Sequence, residues 1–444
     1  MKITPARRVY ILGATLCVAL TICSRNFSDR GGPVFMASLA VAGIAYFLAC
    51  RELFRGQGAR APQVFPRRVV VFGLVLAAVW HIEFLRLPPG IDDDIHRYVW
   101  DGRLQRLGYN PYLVVPSDPA VRGLHTAETR TLNNPDLASP YPPGAQLFFR
   151  AVTAVHESTL AMKFAFVLCA FAIAFVLLEV LRGTGQGAHL VLAYAWNPLL
   201  AIEVAGSGHI DIVGALLVAI SVAALVRRWR AIAAVALGLA VAVKFLPIVL
   251  VPLYWKQVRI RDAALALGVV AFLYVPFLHH GCIPMGSLGT YVHSFRFNGL
   301  VFAALNKVAS PQLLTGLAVL AGLVTATWLR RAAPELRPQV FAWPMAASLL
   351  FAPAVFAWYL LWLLPFLTSA STLLLILWTV SIIPTYVQWH LRALGRPWGA
   401  LPAWIMLLEY GCVAIAAAII ALHRLKRPRA ARYSERPVQS TRFG

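Results

Sequence analysis

Residues 69–94 read VVVFGLVLAAVWHIEFLRLPPGIDDD, so a long apolar run leads within a few residues to three adjacent aspartates. A run of roughly 17 to 25 apolar residues is long enough to cross a bilayer as a helix. Three neighbouring carboxylates repel one another and hold water, and they are costly in a buried setting without a cation. The stretch therefore predicts a membrane helix that is followed by an acidic segment. We expect that segment to bind a cation, to pair with basic residues or to take part in a reaction.

The apolar pattern continues along the chain. Of its 444 residues, 59% are hydrophobic and 13% are charged, which is typical of a polytopic membrane protein and excludes an ordinary soluble domain. We predict an all-α polytopic membrane protein, a bundle of about eleven to fourteen transmembrane helices, some too short to cross alone. The predicted segments are 9–24, 33–50, 69–85, 160–181, 188–204, 210–226, 231–243, 246–257, 262–278, 312–329, 338–352, 356–369, 371–388 and 402–422.

The basic residues give the orientation. With a cytoplasmic N-terminus, 25 of the 40 Lys and Arg residues fall on inner segments and 14 on outer ones, and Lys244 is left unassigned. Cytoplasmic loops of membrane proteins are enriched in basic residues, so both termini are expected inside. The net charge of +22 then points to the anionic membrane surface as a partner and not to nucleic acid.

This orientation predicts one integral membrane domain, residues 1–422, with a long first outer loop at 86–159 and a second at 279–311. The first loop carries eight of the 18 acidic residues and is expected to contain short interfacial helices. Residues 423–444 are expected to form a disordered, basic cytoplasmic tail.

Lys244-Phe245-Leu246-Pro247 lies between two basic inner segments, 227–230 and 256–261. About 25 residues between them must enter the membrane and return, which predicts a broken helix that turns at Lys244. A lysine at that depth needs a cavity or a partner. The alternative is one full span in which Lys244 snorkels and the second basic segment lies outside.

The six cysteines form no CxxC pair and no cluster with histidine, so we predict buried thiols and neither disulfides nor a zinc site. No cofactor is predicted. Asp92 and Asp94 could supply hard oxygen ligands to a divalent cation, and that alternative stays open.

Polar and aromatic residues gather at the predicted outer ends of the helices. Such a set suits a carboxylate base acting on a sugar hydroxyl, cations that hold a lipid phosphate and aromatic rings that hold sugars. The candidates are Asp92, Asp93, Asp94, Arg97, Asp101, Tyr141, His209, Asp211, Lys244, Arg296, Trp358 and Tyr359.

Each candidate also has a structural interpretation. The aspartates could cap a helix, and Arg97 and Asp101 could be an i,i+4 pair. His209 and Asp211 could be polar residues at a helix start. Trp358 and Tyr359 could belong to an interfacial aromatic belt.

Several motifs together resemble a known family. The run DDIHRYVWDG from Asp93 to Gly102, followed by GYNPY at 108–112 and YPP at 141–143, resembles the first outer loop of GT-C glycosyltransferases. The bacterial mannosyltransferase-like branch is nearest, and the loop is similar to that of the glycosylphosphatidylinositol mannosyltransferase. Weaker matches are WNP at 196–198, GHID at 208–211, KFLP at 244–247 and WYLLW at 358–362.

The resemblance implies a membrane hexosyltransferase that moves a sugar, mannose foremost, from a polyprenyl-phosphate donor to a lipid, glycan or protein hydroxyl. It implies an inverting reaction at the periplasmic face of the bacterial cytoplasmic membrane, as part of cell-envelope synthesis. Asp93 matches the base and Asp94 its support, while Arg97, Lys244 and Arg296 would meet the donor phosphate. Asp92 makes a triple where the family has a pair.

Two other functions stay open at this point. One is a transporter or flippase of lipid-linked sugars, although the chain shows no inverted repeat. The other is a non-catalytic assembly partner. A nucleotide-sugar donor is disfavoured because no Gly-rich strand-turn-helix unit is present.

Overall fold

The computed structural model describes residues 3–57, 65–90, 93–332, 337–399 and 401–426. Within these ranges every regular element is a helix, which confirms the predicted all-α class. Asp92 and residues 427–444 of the predicted tail lie outside the described ranges. The prediction of disorder is wrong for residues 423–426, which continue the last helix.

Three long helices open the chain. Thr4 accepts a hydrogen bond from the Arg7 backbone at the start of the first, and a proline occupies an early position in the first two, which suits helix starts. They are α1 (Pro5–Arg25), α2 (Pro33–Leu53) and α3 (Arg67–Leu85).

The segment predicted as the first outer loop, residues 86–159, contains two helices, α4 (Ile95–Arg106) and α5 (Pro143–Val155), as the sequence predicted. The two helices pack on each other, because Tyr98 of α4 stacks on Phe149 of α5 with 4.5 Å between ring centroids. A substituent on Gly102 would lie 2.5 Å from the Phe149 carbonyl oxygen, so the close approach requires glycine there. The loop is thus an ordered platform and not a flexible connection.

The next helices run back and forth from the platform. The first of them starts at Ser158, whose side chain accepts from the Ala161 backbone. They are α6 (Thr159–Gly183), α7 (Val191–Ala195) with a π-helical turn at Leu200–Gly206, α8 (Asp211–Val226) and α9 (Arg230–Val243). The second half has α10 (Ile260–Tyr274), α11 (Leu288–Ser294), α12 (Leu300–Leu305), α13 (Pro311–Ala332), α14 (Ala342–Leu350), α15 (Leu373–Ser381), α16 (Val387–Ala393) and α17 (Ala403–Lys426).

In the described ranges, eight helices are long and apolar enough to cross a membrane, and a bent pair, Ala188–Ala195 with Leu200–Gly206, makes up to nine. Three shorter apolar helices, Asp211–Val226, Arg230–Val243 and Ala357–Phe366, complete the bundle. Together these agree with the predicted eleven to fourteen membrane segments. The predicted boundaries are correct to within a few residues at most ends.

The chain breaks at Lys244 as predicted. Helix α9 ends at Val243, Lys244 is extended, and a 3-10 helix follows at Leu246–Tyr254. Tyr254 then meets Ser221 of α8 at 2.6 Å, far along α8 from Asp211, which binds Lys244. The chain therefore reverses its direction at Lys244 and runs back along α8. This reversal excludes the alternative of one full span in which Lys244 snorkels.

Side-chain contacts define two ends of the bundle. At one end, Arg8 pairs with Glu52, and Arg227 pairs with Glu179. At the other end lie the first outer loop, the turn before α8 and the Lys244 break. We call the latter the acidic end, because it contains Asp93, Asp94 and Asp211.

Candidate active site

Asp93 is a buried ion-pair partner. Its Oδ1 lies 3.0 Å from Nη2 of Arg30, and its Oδ2 accepts from the Gly90 backbone at 2.6 Å. Both charged side chains are less than 5% exposed. A substituent on Gly90 would lie 1.9 Å from the Arg30 guanidinium, so a larger residue here would displace the Arg30 side chain from Asp93. Both carboxylate oxygens of Asp93 are thus engaged inside the protein.

Arg30 comes from the short loop between α1 and α2. Its Nη1 donates to the Ser207 hydroxyl at 2.6 Å, and its guanidinium lies 4.7 Å from the centroid of Phe27 and 5.4 Å from that of Trp389. This one arginine therefore connects the loop between α1 and α2 with three other parts of the chain: the acidic segment, the turn before α8, and α16.

A second cation lies near this pair. Lys163, in the first turns of α6, is buried and donates to the carbonyl oxygens of Phe84 at 3.1 Å and Leu87 at 2.6 Å. A cation at the carboxyl end of a helix satisfies carbonyls that lack an intrahelical partner. Lys163 thereby fixes the end of α3, from which the acidic segment departs.

Asp94 has a different setting from Asp93. It is half-buried, and its Oδ1 accepts from the Asn133 side-chain amide at 2.6 Å. Its side chain makes no cap hydrogen bond to α4, which begins at the next residue. Among the residues that the structure describes, Oδ2 of Asp94 has no hydrogen-bond partner. Asp94 is therefore a carboxylate with a free oxygen.

Tyrosines surround Asp94. Burial, followed by the charge of Asp94, raises the pKa values of Tyr98, Tyr141 and Tyr291. Their hydroxyls therefore stay protonated at neutral pH and can donate hydrogen bonds. Tyr141 was predicted for this site, while Tyr98 and Tyr291 were not.

Lys244 is held by a buried acid. Its Nζ lies 2.8 and 2.9 Å from the two carboxylate oxygens of Asp211, and 4.2 Å from the ring centroid of Tyr359. The Trp362 indole donates to the same carboxylate at 2.6 Å. The Lys244 side chain is 24% exposed, while that of Asp211 is 1% exposed. Asp211 thus orients an accessible ammonium.

The two parts of the acidic end are linked. Tyr359 lies within electrostatic reach of both Asp94 and Asp211, and so does Tyr98. A carboxylate oxygen without a protein partner in the described ranges, an oriented ammonium and tyrosine hydroxyls therefore share one region. The structure thus brings together five of the candidates, Asp94, Asp211, Lys244, Tyr141 and Tyr359.

His209 and Trp358 are buried beside this region. Their rings stack with centroids 4.1 Å apart, and Nδ1 of His209 lies 3.0 Å from Oε2 of Glu203. The Tyr386 hydroxyl donates to the other oxygen of Glu203. Trp358 is 7% exposed and His209 is 1% exposed, so in this conformation they support the site and do not line its surface.

Arg97 and Asp101 hold the first outer loop together. Nη2 of Arg97 donates to the carbonyls of Asn134 and Leu137, and Asp101 accepts from Ser139 at 2.5 Å and Gln146 at 2.9 Å. Arg97 is 3% exposed and Asp101 is fully buried. In this arrangement both side chains bind other residues of the loop, and neither presents a surface to a substrate.

Arg296 also turns inward to its own loop. It donates to the carbonyls of His293 and Phe295, and its guanidinium lies 4.7 Å from the Phe302 centroid. These bonds satisfy carbonyls at the end of α11. A donor-phosphate contact by Arg296 therefore has no support in this arrangement.

The second outer loop is anchored at two points. Ser287 donates to the Ala138 carbonyl at 2.6 Å, and Asn298 donates to Glu409 of α17 at 2.8 Å. Glu409 is fully buried and also accepts from the Trp378 indole at 2.7 Å. These anchors hold Tyr291, between them, near Asp94.

No group of three or more His, Cys, Asp or Glu residues suited to a metal ion occurs in the described ranges. The predicted cation ligands Asp92 and Asp94 include one residue outside those ranges. Nothing is therefore assigned to a metal.

Sequence reasoning did not find Arg30, Lys163, Glu203, Tyr291 or Glu409 as parts of this end. Charged residues inside or next to apolar runs, such as Lys163 and Glu409, are a usable signal, because they need partners in a membrane. Arg30 had only its neighbouring glycines as a signal.

Comparisons with known proteins complete the description. A comparison with curated protein sequences gives no match. The crystal structure of ArnT from Cupriavidus metallidurans bound to undecaprenyl phosphate matches with a TM-score of 0.45 and 17% sequence identity. The match covers 81% of this chain and 64% of that one, so the chain spans less than two thirds of that protein.

The family model described as alpha-(1->6)-mannopyranosyltransferase, N-terminal domain, matches residues 14–258. This range contains Arg30, Asp93, Asp94, Asp211 and Lys244. Because the match covers more than half of the chain, the protein belongs to the alpha-(1->6)-mannopyranosyltransferase family of glycosyltransferases.

Proposed function

We propose that the protein transfers mannose from a polyprenyl-phosphate donor to an acceptor hydroxyl, with Asp94 as general base. The observation that carries the proposal is the half-buried Asp94 carboxylate, with one free oxygen, in the same region as the oriented Lys244 ammonium. Membership of a mannosyltransferase family supports the sugar and the reaction class.

The reaction is a displacement at the sugar C1 atom. Asp94 takes the proton of the acceptor hydroxyl while the acceptor oxygen forms a bond to C1. The bond from C1 to the phosphate oxygen breaks, and polyprenyl phosphate leaves with the electron pair. General-base assistance of this type is worth about 10²- to 10⁴-fold in rate.

Asp94 is preferred to Asp93, the base that the sequence favoured. A base needs an oxygen that the acceptor can reach, and both oxygens of Asp93 are held by Arg30 and the Gly90 backbone. Asp93 then has the supporting role, since it fixes the segment on which Asp94 lies.

Lys244 is the proposed contact for the donor phosphate. An ammonium has three N–H donors, and Asp211 occupies the side of Lys244 that faces the core. The remaining donor can stabilise charge on the leaving phosphate. The partly exposed, protonated Tyr141 and Tyr291 would donate to sugar or phosphate oxygens beside it.

We place the reaction at the outer face of the bacterial cytoplasmic membrane, with both termini inside. The support is charge asymmetry, because the acidic end lies opposite the segments that hold 25 of the 40 basic residues.

The test is transfer of radiolabelled mannose by purified protein with Asp94→Asn and, as a matched control, Asp136→Asn. Asp136 is an exposed acid of the same outer loop. We expect Asp94→Asn to lower kcat by about 10²-fold or more and Asp136→Asn to leave it unchanged. Full activity of Asp94→Asn would exclude Asp94 as base.

A second arm tests the reaction class. Wild-type protein in liposomes is supplied with polyprenyl-phosphate mannose and a hydroxyl acceptor. Formation of a new glycosidic bond supports the proposal, whereas movement of the lipid-linked sugar across the bilayer with no new bond would support a transporter instead.

A further inference from the structure

A cavity of about 440 Å³ lies at the opposite end of the bundle from Asp94. It is a partly open cleft lined by the last turns of α6 and α8 and the first turn of α9. Apolar side chains form its walls, among them Phe175, Val176, Ile220, Ala223 and Ile232. Its volume is within the roughly 300–1,000 Å³ range of small-molecule sites.

Charged and aromatic residues form the rim of this cavity. Glu179 pairs with Arg182 at 3.2 Å and with Arg227 at 2.6 Å. The Arg227 guanidinium also lies 5.1 Å from the Trp229 ring centroid. One carboxylate between two guanidinium groups leaves the rim with a net positive charge.

The rim retains hydrogen-bonding capacity. Each guanidinium has five N–H donors in a planar fork that matches the oxygens of a phosphate. A single Nη atom of each arginine lies within ion-pair distance of Glu179, and the Arg182 and Arg227 side chains are 81% and 44% exposed. Donors therefore remain available to an anion above the cavity.

We propose that this cavity binds an anionic phospholipid. One acyl chain would fill the apolar interior, the phosphate would lie at Arg182 and Arg227, and the half-exposed Trp229 would lie at headgroup level. Charge complementarity selects the occupant: a neutral helix of a partner protein would gain nothing from the two arginines, and a free anion would gain nothing from the apolar walls. Basic pockets between membrane helices bind anionic lipid headgroups in this way.

The position of the cavity is consistent with such a lipid. The cavity opens beside the basic segment that continues with Arg228 and Arg230. Trp side chains favour the interface between hydrocarbon and water. The site is independent of the proposed transfer reaction, because it shares no residue with the acidic end.

The test uses full-length protein in detergent and native mass spectrometry with phosphatidylglycerol or phosphatidylcholine. We expect wild-type protein to retain phosphatidylglycerol about tenfold more strongly than phosphatidylcholine, and the double variant Arg182→Gln, Arg227→Gln to lose the preference. Ala223→Phe, which fills the cavity, should lower retention of both lipids.

Two controls keep the result specific. Arg261→Gln removes an exposed arginine from another basic segment and should leave the preference intact. Thermal midpoints within a few degrees of wild type would exclude misfolding of the variants. Equal retention of the two lipids by wild type, equal loss in Arg261→Gln, or competition by glycerol phosphate as strong as by the lipid would overturn the proposal.

Discussion

Arg30, in the loop between α1 and α2, forms an ion pair with Asp93, which precedes α4, with 3.0 Å between Nη2 and Oδ1 and almost no exposed surface on either side chain. The pair lies next to the half-buried Asp94. It therefore makes the geometry of the proposed base depend on a residue more than sixty positions earlier in the chain.

Removing one partner should destabilise the protein strongly. Asp93→Asn or Arg30→Gln leaves a buried partner without its counter-charge, which costs about 3–5 kcal/mol. The double variant should lose less than the sum of the two single losses. Unfolding free energies in mixed micelles measure this, with Arg8→Gln at the part-exposed Glu52 pair as a control that changes by at most about 1 kcal/mol. Strict additivity would contradict the coupling.

Lys244 should determine phosphate affinity. Lys244→Met removes the ammonium that would contact the leaving phosphate. We therefore expect kcat/KM to fall about 10²- to 10³-fold. Inhibition by polyprenyl phosphate without sugar should weaken in parallel, while Lys244→Arg should keep part of both. Lys244→Met combined with Asp211→Asn controls for the carboxylate that would otherwise be left uncompensated. Unchanged inhibition in Lys244→Met would argue against a phosphate contact.

The anomeric configuration of the donor should determine whether the enzyme uses it. The family name specifies an α-linked product, and a single displacement inverts the configuration at C1. If the reaction is inverting, the donor must be β-linked. Synthetic β-linked polyprenyl-phosphate mannose should therefore be used and its α anomer should not. Transfer from the α anomer to an α-linked product would indicate retention and exclude the single displacement.

Asp101 should give a pH-dependent stability. Burial raises the pKa of its carboxyl above the ordinary value of 3.8. The folded state then favours the neutral form, so this contribution to stability is complete below the unfolded pKa and is lost as pH rises through the folded pKa. Thermal midpoints from pH 4 to pH 8 should fall more for wild type than for Asp101→Asn. Parallel curves would show that burial does not shift this group.

Most of the fold could be predicted from the sequence. Apolar runs and basic segments located the helices, and the two basic segments on either side of Lys244 predicted the broken helix. These features are local, so they can be read from one chain. The position of Asp94, one residue before α4, followed in the same way.

The assignment of roles within the site could not be read in this manner. Asp93 and Asp94 are neighbours in sequence. The Asp93 carboxylate is held by Arg30 and the Gly90 backbone, whereas the Asp94 carboxylate has one oxygen with no partner in the described ranges. Arg97 and Asp101 looked suited to a substrate, but their bonds go to backbone and side chains of the same loop. Burial and partner choice arise from contacts between residues far apart in the chain, which composition and periodicity do not encode.

The family match ends at residue 258, but the candidate site also contains residues that come later in the chain. Tyr291, Tyr359 and Trp362 come from beyond that boundary, and Glu409 fastens the loop that carries Tyr291. The proposed base and the proposed phosphate contact thus lie in the part of the chain that the family model matches, and one wall of the site lies in the remainder. Changes in the second half of the chain could therefore alter which acceptor is used while the chemistry of transfer is preserved.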